Sequence, residues 1–453
     1  MTEYRPDPQI LTLGADFYDP VAAADFPQCT PRFVNARWAE RVGLGEVDWA
    51  AHFCRFEPLA GNLQTPLALR YHGHQFRVYN PEIGDGRGFT FAQLRDDSGR
   101  LLDLGTKGSG QTPWSRTADG RLTLKGGVRE VLATEMLEAL GVITSKSFAL
   151  FETGEALERG DEPSPTRSAV LTRLSHGHIR IGTFQRLAFF GEVDNLGALV
   201  RYSLEHLYSE PPVADVAANA LRLFDLVAQS TATLAASYLA AGFVHGVLNS
   251  DNINVTGESF DYGPWRFAPD WDPEFTAAYF DHQGLYAFGR QPEAIHWDLA
   301  QLAGCLALVA EAPALSDKLG GWSARFDAAL VAALVRRLGV APGADDRPLA
   351  GALIRALSTR AASIDRIFFD WRGGRDPGAE AYPADQFRAL AKSLEGRARA
   401  AHHPYWSGPG PCSMPIDEVE AIWTAIADTD DWQPFEDKVR AIRVMGEAMA
   451  EDG

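Results

Sequence analysis

The order of strand-like and helical patterns along the chain limits its fold more than any single motif does. Between residues 67 and 104, short apolar stretches alternate with Gly and Asp clusters, which is typical of short strands joined by turns. Helical spacing follows at residues 129–140 and 221–241, each ending at a glycine. Beyond residue 294 the pattern is helical, with Pro and Gly breaks. This order predicts an α+β fold with two lobes and a functional cleft between them.

Composition narrows the class of protein. The chain has 453 residues, 46% of them hydrophobic, and a net charge of −18, so it can bury a large core and is a poor partner for nucleic acid or an anionic membrane. The N-terminus lacks the basic start and apolar run of a signal peptide, and no stretch approaches the roughly 18 apolar residues of a membrane span. Cys29, Cys54, Cys305 and Cys412 lie far apart and form no CxxC pair, which argues against a zinc ribbon or a disulfide framework. We therefore expect a cytoplasmic globular protein without a nucleic-acid or membrane partner.

The segment HGVLNSDN at residues 245–252 carries the most chemical information, together with DYG nine residues after Asn252. Beside the protein-kinase pattern HRDLxxxN…DFG, its His, Leu and Asn and the second Asp fall into register, but Val247 stands where a kinase has its acceptor-side Asp. In that register Asn252 and Asp261 supply hard oxygen ligands for Mg²⁺ between phosphates, and Asp251 can supply a carboxylate from a different angle. SDN and DYG are also common turn sequences, but their joint spacing after a predicted helix favours a metal site.

This register predicts a protein-kinase-like two-lobed fold with an N-terminal extension. The extension covers residues 1–60, the N-lobe with the nucleotide-binding residues covers 61–185, and a mainly helical C-lobe covers 186–453.

Basic residues are informative in a chain this acidic. Lys107 ends an apolar strand and can meet Glu130 or Glu135 on the following helix, which would keep the lysine charged and aimed. Arg173 and Arg180 lie seven residues apart, and their guanidinium groups suit phosphate oxygens. A solvated loop lysine and surface arginines paired with acidic residues stay open as alternatives.

Two glycine-containing turns could approach phosphates through their backbone amides. GDGRG at residues 84–88 adds Arg87 as a fourth cation, and DGR recurs at residues 119–121. Both turns could equally be ordinary hairpin turns. The HxH pairs at residues 72–74 and 176–178 have no clear third ligand, so we expect no zinc site.

Eight segments resemble, in order from about residue 15 to about residue 310, the selenoprotein O family, known in bacteria as YdiU. They are YHGHQFRVY, GDGRG, KGSGQTPWSRTADGR, REVLATE, LTRLSHGHIRIGTF, GFVHGVLNSDN, FDYGPW and DHQGLYAFGRQP. The resemblance implies a pseudokinase-like protein adenylyltransferase that binds ATP in an inverted orientation and AMPylates Ser, Thr or Tyr of protein substrates, its expected partners.

The resemblance also implies roles for the matching positions. Asp251 would be the acid/base residue, and Asn252 and Asp261 would be the ligands of Mg²⁺ or Mn²⁺. The implied nucleotide contacts are Gly84, Gly86, Arg87, Lys107, Asp119, Gly120, Arg173 and Arg180.

The chain departs from the family pattern in two places, and two other functions stay open. Arg77 stands where the family usually has a glycine after Phe76, and the C-terminus MGEAMAEDG carries no cysteine, so a redox switch is not expected unless Cys412 is a displaced remnant. A phosphotransferase could use Asp251 as its base, and a catalytically silent ATP-binding pseudokinase would account for Val247.

Overall fold

The computed structural model describes residues 2–160, 162–397, 399 and 401–451. The strands are β1 (Tyr18–Pro20), β2 (Thr30–Val34), β3 (Leu67–Leu69), β4 (Gly73–Gln75), β5 (Val78–Asn80), β6 (Thr90–Arg95), β7 (Leu101–Lys107), β8 (Leu122–Thr123), β9 (Lys146–Leu157), β10 (Thr166–Ser175), β11 (Phe243–Val244) and β12 (Arg266–Phe267). The α-helices are α1 (Ala36–Arg41), α2 (Trp49–Phe53), α3 (Leu124–Ala139), α4 (Ile181–Phe190), α5 (Val193–Tyr202), α6 (Val216–Ala241), α7 (Gln291–Leu306), α8 (Ala312–Gly320), α9 (Trp322–Leu338), α10 (Asp346–Leu357), α11 (Ile364–Asp370), α12 (Asp385–Leu394), α13 (Ile416–Thr429) and α14 (Gln433–Glu451).

A large antiparallel sheet dominates the first part of the chain and sets the positions of two predicted cations. Its strand order is β1-β3-β6-β7-β10-β9-β2, with β8 also pairing with β10. Lys107 at the end of β7 is paired with Leu171 of β10. Because side chains alternate between the two faces of a strand, Arg173, two residues after Leu171, lies on the same face as Lys107.

The N-terminal segment covers the other face of this sheet. Trp38, Phe53 and Phe56 are buried in one apolar cluster with Phe91 of β6 and Phe148 of β9. The same segment also provides β1 and β2, the two ends of the strand order. β7 is consequently buried along its whole length, because apolar layers lie on both faces of the sheet.

The argument from spacing against a disulfide framework missed one disulfide among the four cysteines. The fold brings the Cα atoms of Cys29 and Cys54 to 6.0 Å, and a disulfide joins them within the N-terminal layer. Sequence spacing missed this pair because the two cysteines, 25 positions apart, come together only when the chain returns to the same layer in three dimensions. Cys305 and Cys412 are free thiols.

Helices form most of the second half, as the periodicity predicts. The helix expected at residues 221–241 lies within α6, whose buried residues Leu223, Phe224 and Val227 each stabilise the fold by about 1.5–3 kcal/mol. α6 ends at Gly242, which has a φ of 71°, a left-handed conformation that favours glycine. The chain then passes through β11 into the HGVLNSDN segment. No helix among the described residues is both long and apolar enough to cross a membrane.

The whole is a mixed fold of one large antiparallel sheet and many helices, consistent with the predicted α+β class. The short strands expected between residues 67 and 104 are confirmed as β3 to β7, and the helix expected at residues 129–140 overlaps α3.

Candidate active site

A cavity of about 300 Å³ collects most of the predicted site residues. Two larger cavities, of about 610 and 960 Å³, contain none of them, so chemistry rather than size distinguishes this one. The predicted residues that line it are Gly84, Gly86, Arg87, Lys107, Arg173, Arg180, Asp251 and Asp261.

Lys107 is held by two carboxylates. Its Nζ lies 2.5 Å from Oε2 of Glu130 on α3 and 3.0 Å from Oδ1 of Asp261, and it also donates to the carbonyl of Tyr262 at 3.3 Å. Of the two glutamates that the sequence offered, Glu130 is therefore the partner. Glu135 instead accepts from Arg443, at 2.7 Å.

Arg173 belongs to the same charged cluster. Its Nη1 lies 3.4 Å from both Glu130 Oε1 and Asp261 Oδ1, and its side chain is 7% exposed, so it is not the surface arginine of the alternative interpretation. Burial alone would raise the pKa of Asp261, but the charges of Lys107, Arg173 and Arg87 outweigh burial and hold that pKa well below its usual range. Asp261 is thus an ionised carboxylate at neutral pH in the cavity.

Arg180 joins the loop at residues 84–88 to the HGVLNSDN segment. Its Nη2 lies 3.3 Å from Asp85 Oδ1, and its Nη1 donates to the backbone carbonyl of Asp251 at 3.2 Å. The guanidinium carbon also lies 4.1 Å from the centre of the Tyr71 ring, a cation–π contact in a buried setting. Sequence reasoning missed Asp85 and Tyr71 as partners, although both stand inside the segments that carry the family resemblance.

Asp251 has the opposite environment from Asp261. Burial raises its pKa to about 6, an effect that the nearby charge of Arg180 only partly offsets. Its Oδ1 is buried and has no hydrogen-bond partner among the described residues. The backbone of Gly73 lies against it, since a β-carbon added there would be 2.7 Å from Oδ1. A carboxylate with an unused oxygen and a pKa near neutrality is suited to accept a proton.

The hairpin of β4 and β5 holds the turn that carries Asp251. The amide of His74 donates to Ser250 Oγ at 2.7 Å, and the amide of Phe76 donates to Asn249 Oδ1 at 3.0 Å. Sequence reasoning weighed this segment as a family marker, and its HxH pair as a metal site, but not as a support for Asp251. The signal was present as alternating residues around a tight turn in YHGHQFRVYN.

His245 holds the backbone next to the DYG segment by a hydrogen bond. The ring is fully buried, and its Nε2 donates to the carbonyl of Phe260 at 3.0 Å, while its backbone amide donates to Gln291 Oε1. The His of the kinase-like pattern therefore fixes the backbone immediately before Asp261.

Asn252 does not line the cavity, although it lies one residue from Asp251. Its Nδ2 donates to the carbonyl of Val247 at 3.0 Å, which fixes the orientation of the amide group. No group of three or more His, Cys, Asp or Glu side chains in the described part of the chain could hold a metal unaided. One ionised carboxylate and one amide oxygen do fit Mg²⁺ beside a nucleotide, because phosphates and water then complete the octahedral shell.

Asp119 and Gly120 also lie outside the cavity. Asp119 is paired with Arg159 at 2.8 Å, and Gly120, at a φ of 70°, closes against the backbone of Gly110. The loop reaches the cavity through Ala118 instead.

Known relatives place the chain in a class of enzymes. Proteins named protein nucleotidyltransferase YdiU are similar to it over nearly their whole lengths. The relative from Gloeobacter violaceus is 43% identical over 96% of this chain and 94% of its own length. The one from Synechocystis sp. is 39% identical over 96% and 97%, and the one from Rhodopseudomonas palustris (strain BisB5) is 36% identical over 96% and 92%. The chain is an enzyme of the nucleotidyltransferase class.

The family follows from a second comparison. The sequence model of the family described as protein adenylyltransferase SelO matches residues 1–395, and the chain belongs to that family. The resemblance seen in the sequence up to about residue 310 was therefore too short, because it depended on the motifs around the site and overlooked weaker similarity in the helices that follow.

Proposed function

We propose that this enzyme transfers AMP from ATP to Ser, Thr or Tyr hydroxyls of proteins, depends on Mg²⁺ or Mn²⁺, and releases pyrophosphate. The observation that carries the proposal is that two carboxylates with opposite surroundings line one cavity. Asp261 is ionised among buried cations, whereas Asp251 has a raised pKa and an oxygen without a hydrogen-bond partner among the described residues. The relatives' name, protein nucleotidyltransferase, and the family's description agree with it.

The architecture that we propose is protein-kinase-like, with an extension at residues 1–60, an N-lobe at 61–185 and a C-lobe at 186–453. Two features support it. The pair of Lys107 on a strand and Glu130 on the following helix has the arrangement that kinases use near ATP phosphates. The HGVLNSDN and DYG segments follow α6 and meet that pair through Asp261.

ATP would enter this cavity with its triphosphate toward the cations. Lys107, Arg173 and Arg180 are all buried, so the most highly charged end of the nucleotide, the γ-phosphate, is best neutralised among them. Gly84 and Gly86 have no side chain to block backbone approach to phosphates, and Trp114 packs so closely on Gly84 that a β-carbon there would lie 2.6 Å from its ring. The α-phosphorus then faces the Asp251 side of the cavity.

The proposed transfer is direct, and the protein forms no covalent intermediate. Asp251 accepts the proton of the acceptor hydroxyl, the oxygen attacks the α-phosphorus, and the bond to the β-phosphate oxygen breaks to release pyrophosphate. Asp261 and Asn252 would hold the metal ion, which neutralises charge on the phosphates when bound. Arg173 and Lys107 keep the leaving pyrophosphate charge-balanced.

A kinase-like phosphotransferase is the second candidate, because the Lys107–Glu130 pair would also serve transfer of the γ-phosphate. Val247, in place of a kinase Asp, favours a silent ATP-binding module instead. Against a silent module stand the ionised Asp261 and the unpartnered Oδ1 of Asp251, which such a module has no need to keep in one cavity.

Labelled ATP separates the candidates. The purified protein is incubated with Mg²⁺ and a cell lysate, in parallel with ATP labelled at the α- or the γ-phosphate, and proteins are separated on a denaturing gel. Lysate without the added protein is the control, because its own kinases transfer the γ-phosphate. We expect the added protein to increase only the α-label on proteins. If it increases only the γ-label, phosphotransfer replaces the proposal; if it increases neither, the silent module does.

A further inference from the structure

Exposed apolar side chains gather on the β4–β5 hairpin and on two segments beside it. Val78 at the hairpin tip is 70% exposed, and Tyr279, before α7, is 79% exposed. Phe189 and Phe190 at the end of α4, and Phe280, are also exposed. We call these five residues the aromatic face.

Ring contacts make the aromatic face continuous through the hairpin. On one flank, Tyr79 stacks on Phe189, with ring centres 5.6 Å apart. On the other flank, Phe76 meets Phe280 at 5.8 Å. Contiguous apolar surfaces are uncommon on proteins that act alone, and aromatic residues are enriched in the cores of protein interfaces.

The same hairpin forms part of the catalytic cavity. Gln75 of β4 lines the cavity, and Gly73 lies against the carboxylate of Asp251. The aromatic face is therefore continuous with the side of the cavity where a hydroxyl must arrive.

The distance along α4 from Asp251 to Phe189 sets how far the modified hydroxyl of a bound segment lies from its apolar side chains. α4 begins beside Asp251, since a β-carbon on Gly182 would lie 3.5 Å from the Asp251 Cα. Phe189 follows seven residues later on the same helix, which at 1.5 Å per residue is about 10 Å away. An extended peptide covers that distance in about three residues.

We propose that the aromatic face binds the acceptor protein and selects a segment with apolar side chains about three or four residues from the modified hydroxyl. This inference rests on the proposed function for its occupant, because a protein acceptor must bring its hydroxyl to Asp251. The selectivity follows from burial of aromatic and aliphatic surface on both sides.

Peptide binding tests it without requiring catalysis. Fluorescent peptides carry one central Thr, flanked about three and four residues away either by Leu or by Asp, and their affinity for the full chain is measured by anisotropy. The variants Val78→Asp and Tyr279→Asp change the two most exposed members of the face and leave the cavity intact. Val213→Asp, before α6, and Ile143→Asp, after α3, are matched controls, because both side chains are exposed and neither belongs to the hairpin or to the two segments beside it.

We expect the Leu-flanked peptide to bind about tenfold more tightly than the Asp-flanked one, and each face variant to lose that preference while the controls keep it. Equal affinities for the two peptides, or equal losses in the controls, would overturn the inference. The inference would also be overturned if the face binds a second copy of this chain. Sedimentation would then show a dimer that Val78→Asp dissociates, and that variant would leave peptide binding unchanged.

The same peptides distinguish this inference from the proposed function. Selective binding with no α-label transferred from ATP would contradict AMP transfer and leave the docking surface in place. Transfer of the label to both peptides at equal kcat/KM, unchanged in Val78→Asp and Tyr279→Asp, would overturn the docking surface and leave AMP transfer in place.

Discussion

Asp251 and Asp261 line the same cavity, but their surroundings differ in almost every respect. Asp261 lies within 3.4 Å of two cations, and those charges hold its pKa well below the usual range. Asp251 has one oxygen without a partner among the described residues, and burial raises its pKa to about 6. The first carboxylate is fixed in its ionised form, whereas the second can take up a proton.

This difference assigns the two roles in the proposed reaction. Where neighbouring titratable groups are pushed toward opposite pKa values, one usually serves as a charge and the other as an acid or base. The cation side of the cavity, with Asp261, suits metal and phosphate, and the hairpin side, with Asp251, suits proton transfer from the acceptor.

Replacing Asp261 by Asn should have the largest effect. Loss of the ionised metal ligand removes several kcal/mol of transition-state stabilisation, so AMP transfer should fall by roughly 10⁴-fold. Lys107 and Arg173 lose one of the two carboxylates that they share, so the free energy of unfolding should fall too. Label transfer and thermal unfolding measure the two effects, with Asp428→Asn, an exposed position on α13, as the control. Near-normal transfer in Asp261→Asn would remove this residue from the mechanism.

Asp251→Asn should separate activity from stability. Transfer should fall about 10²- to 10³-fold with little change in the KM for ATP, because only the proton acceptor is lost. Burial raises the pKa of this carboxyl to about 6, so it is still mostly ionised at neutral pH, but its ionisation lowers the free energy of unfolding, and a neutral amide removes that cost. In metal-free protein the unfolding temperature should therefore stay level or rise, unlike that of Asp261→Asn. A clear drop in stability with full activity would mean that Asp251 is structural.

The buried arginines should show an intermediate effect. Arg173→Ala or Arg180→Ala removes a charge-assisted contact of about 1.5–3 kcal/mol, which corresponds to a roughly ten- to hundredfold loss in kcat/KM for ATP. Lys at either position should rescue only partly, since the planar fork is lost. Arg347→Ala, at an exposed position, is the matched control. Kinetics that match the control would show that neither arginine binds the nucleotide.

Gly73→Ala should have the smallest effect and act only on the Asp251 side. The new methyl group would lie 2.7 Å from Asp251 Oδ1, so the carboxylate must shift, and kcat should fall about tenfold with an unchanged KM for ATP. Gly304→Ala is the control, because a β-carbon there meets no neighbouring atom within 4 Å. If ATP binding weakens in Gly73→Ala as much as kcat falls, the two sides of the cavity are not independent.

Local patterns in the sequence predicted much of the fold. Helical periodicity located α6 and its glycine end, and alternation located the strands from β3 to β7. Pairing between distant segments was not predictable in this way. The edge positions of β1 and β2 and the Cys29–Cys54 disulfide depend on how the chain returns on itself, which spacing alone does not encode.

The candidate site also has a part that local sequence patterns predicted and a part that depends on contacts between distant segments. Motif register indicated Asp251, Asp261 and Lys107, the scarcity of basic residues indicated Arg173 and Arg180, and eight of the predicted residues line one cavity. It did not indicate which glutamate meets Lys107, nor that Gly73 lies against Asp251, because both depend on packing between separate elements. The roles of these residues stay predictions until variants are measured.

Product analysis of the wild type and of Val247→Asp tests the central claim most directly. After incubation with ATP, Mg²⁺ and one acceptor peptide, mass spectrometry reads the adduct on the peptide, and a coupled assay reads pyrophosphate and ADP. Both proteins should add AMP and release pyrophosphate in equal amounts, because a kinase-type Asp at position 247 does not turn the γ-phosphate away from the buried cations. A phosphate adduct with ADP from the wild type, or a strong switch to that product in Val247→Asp, would contradict the proposed placement of ATP.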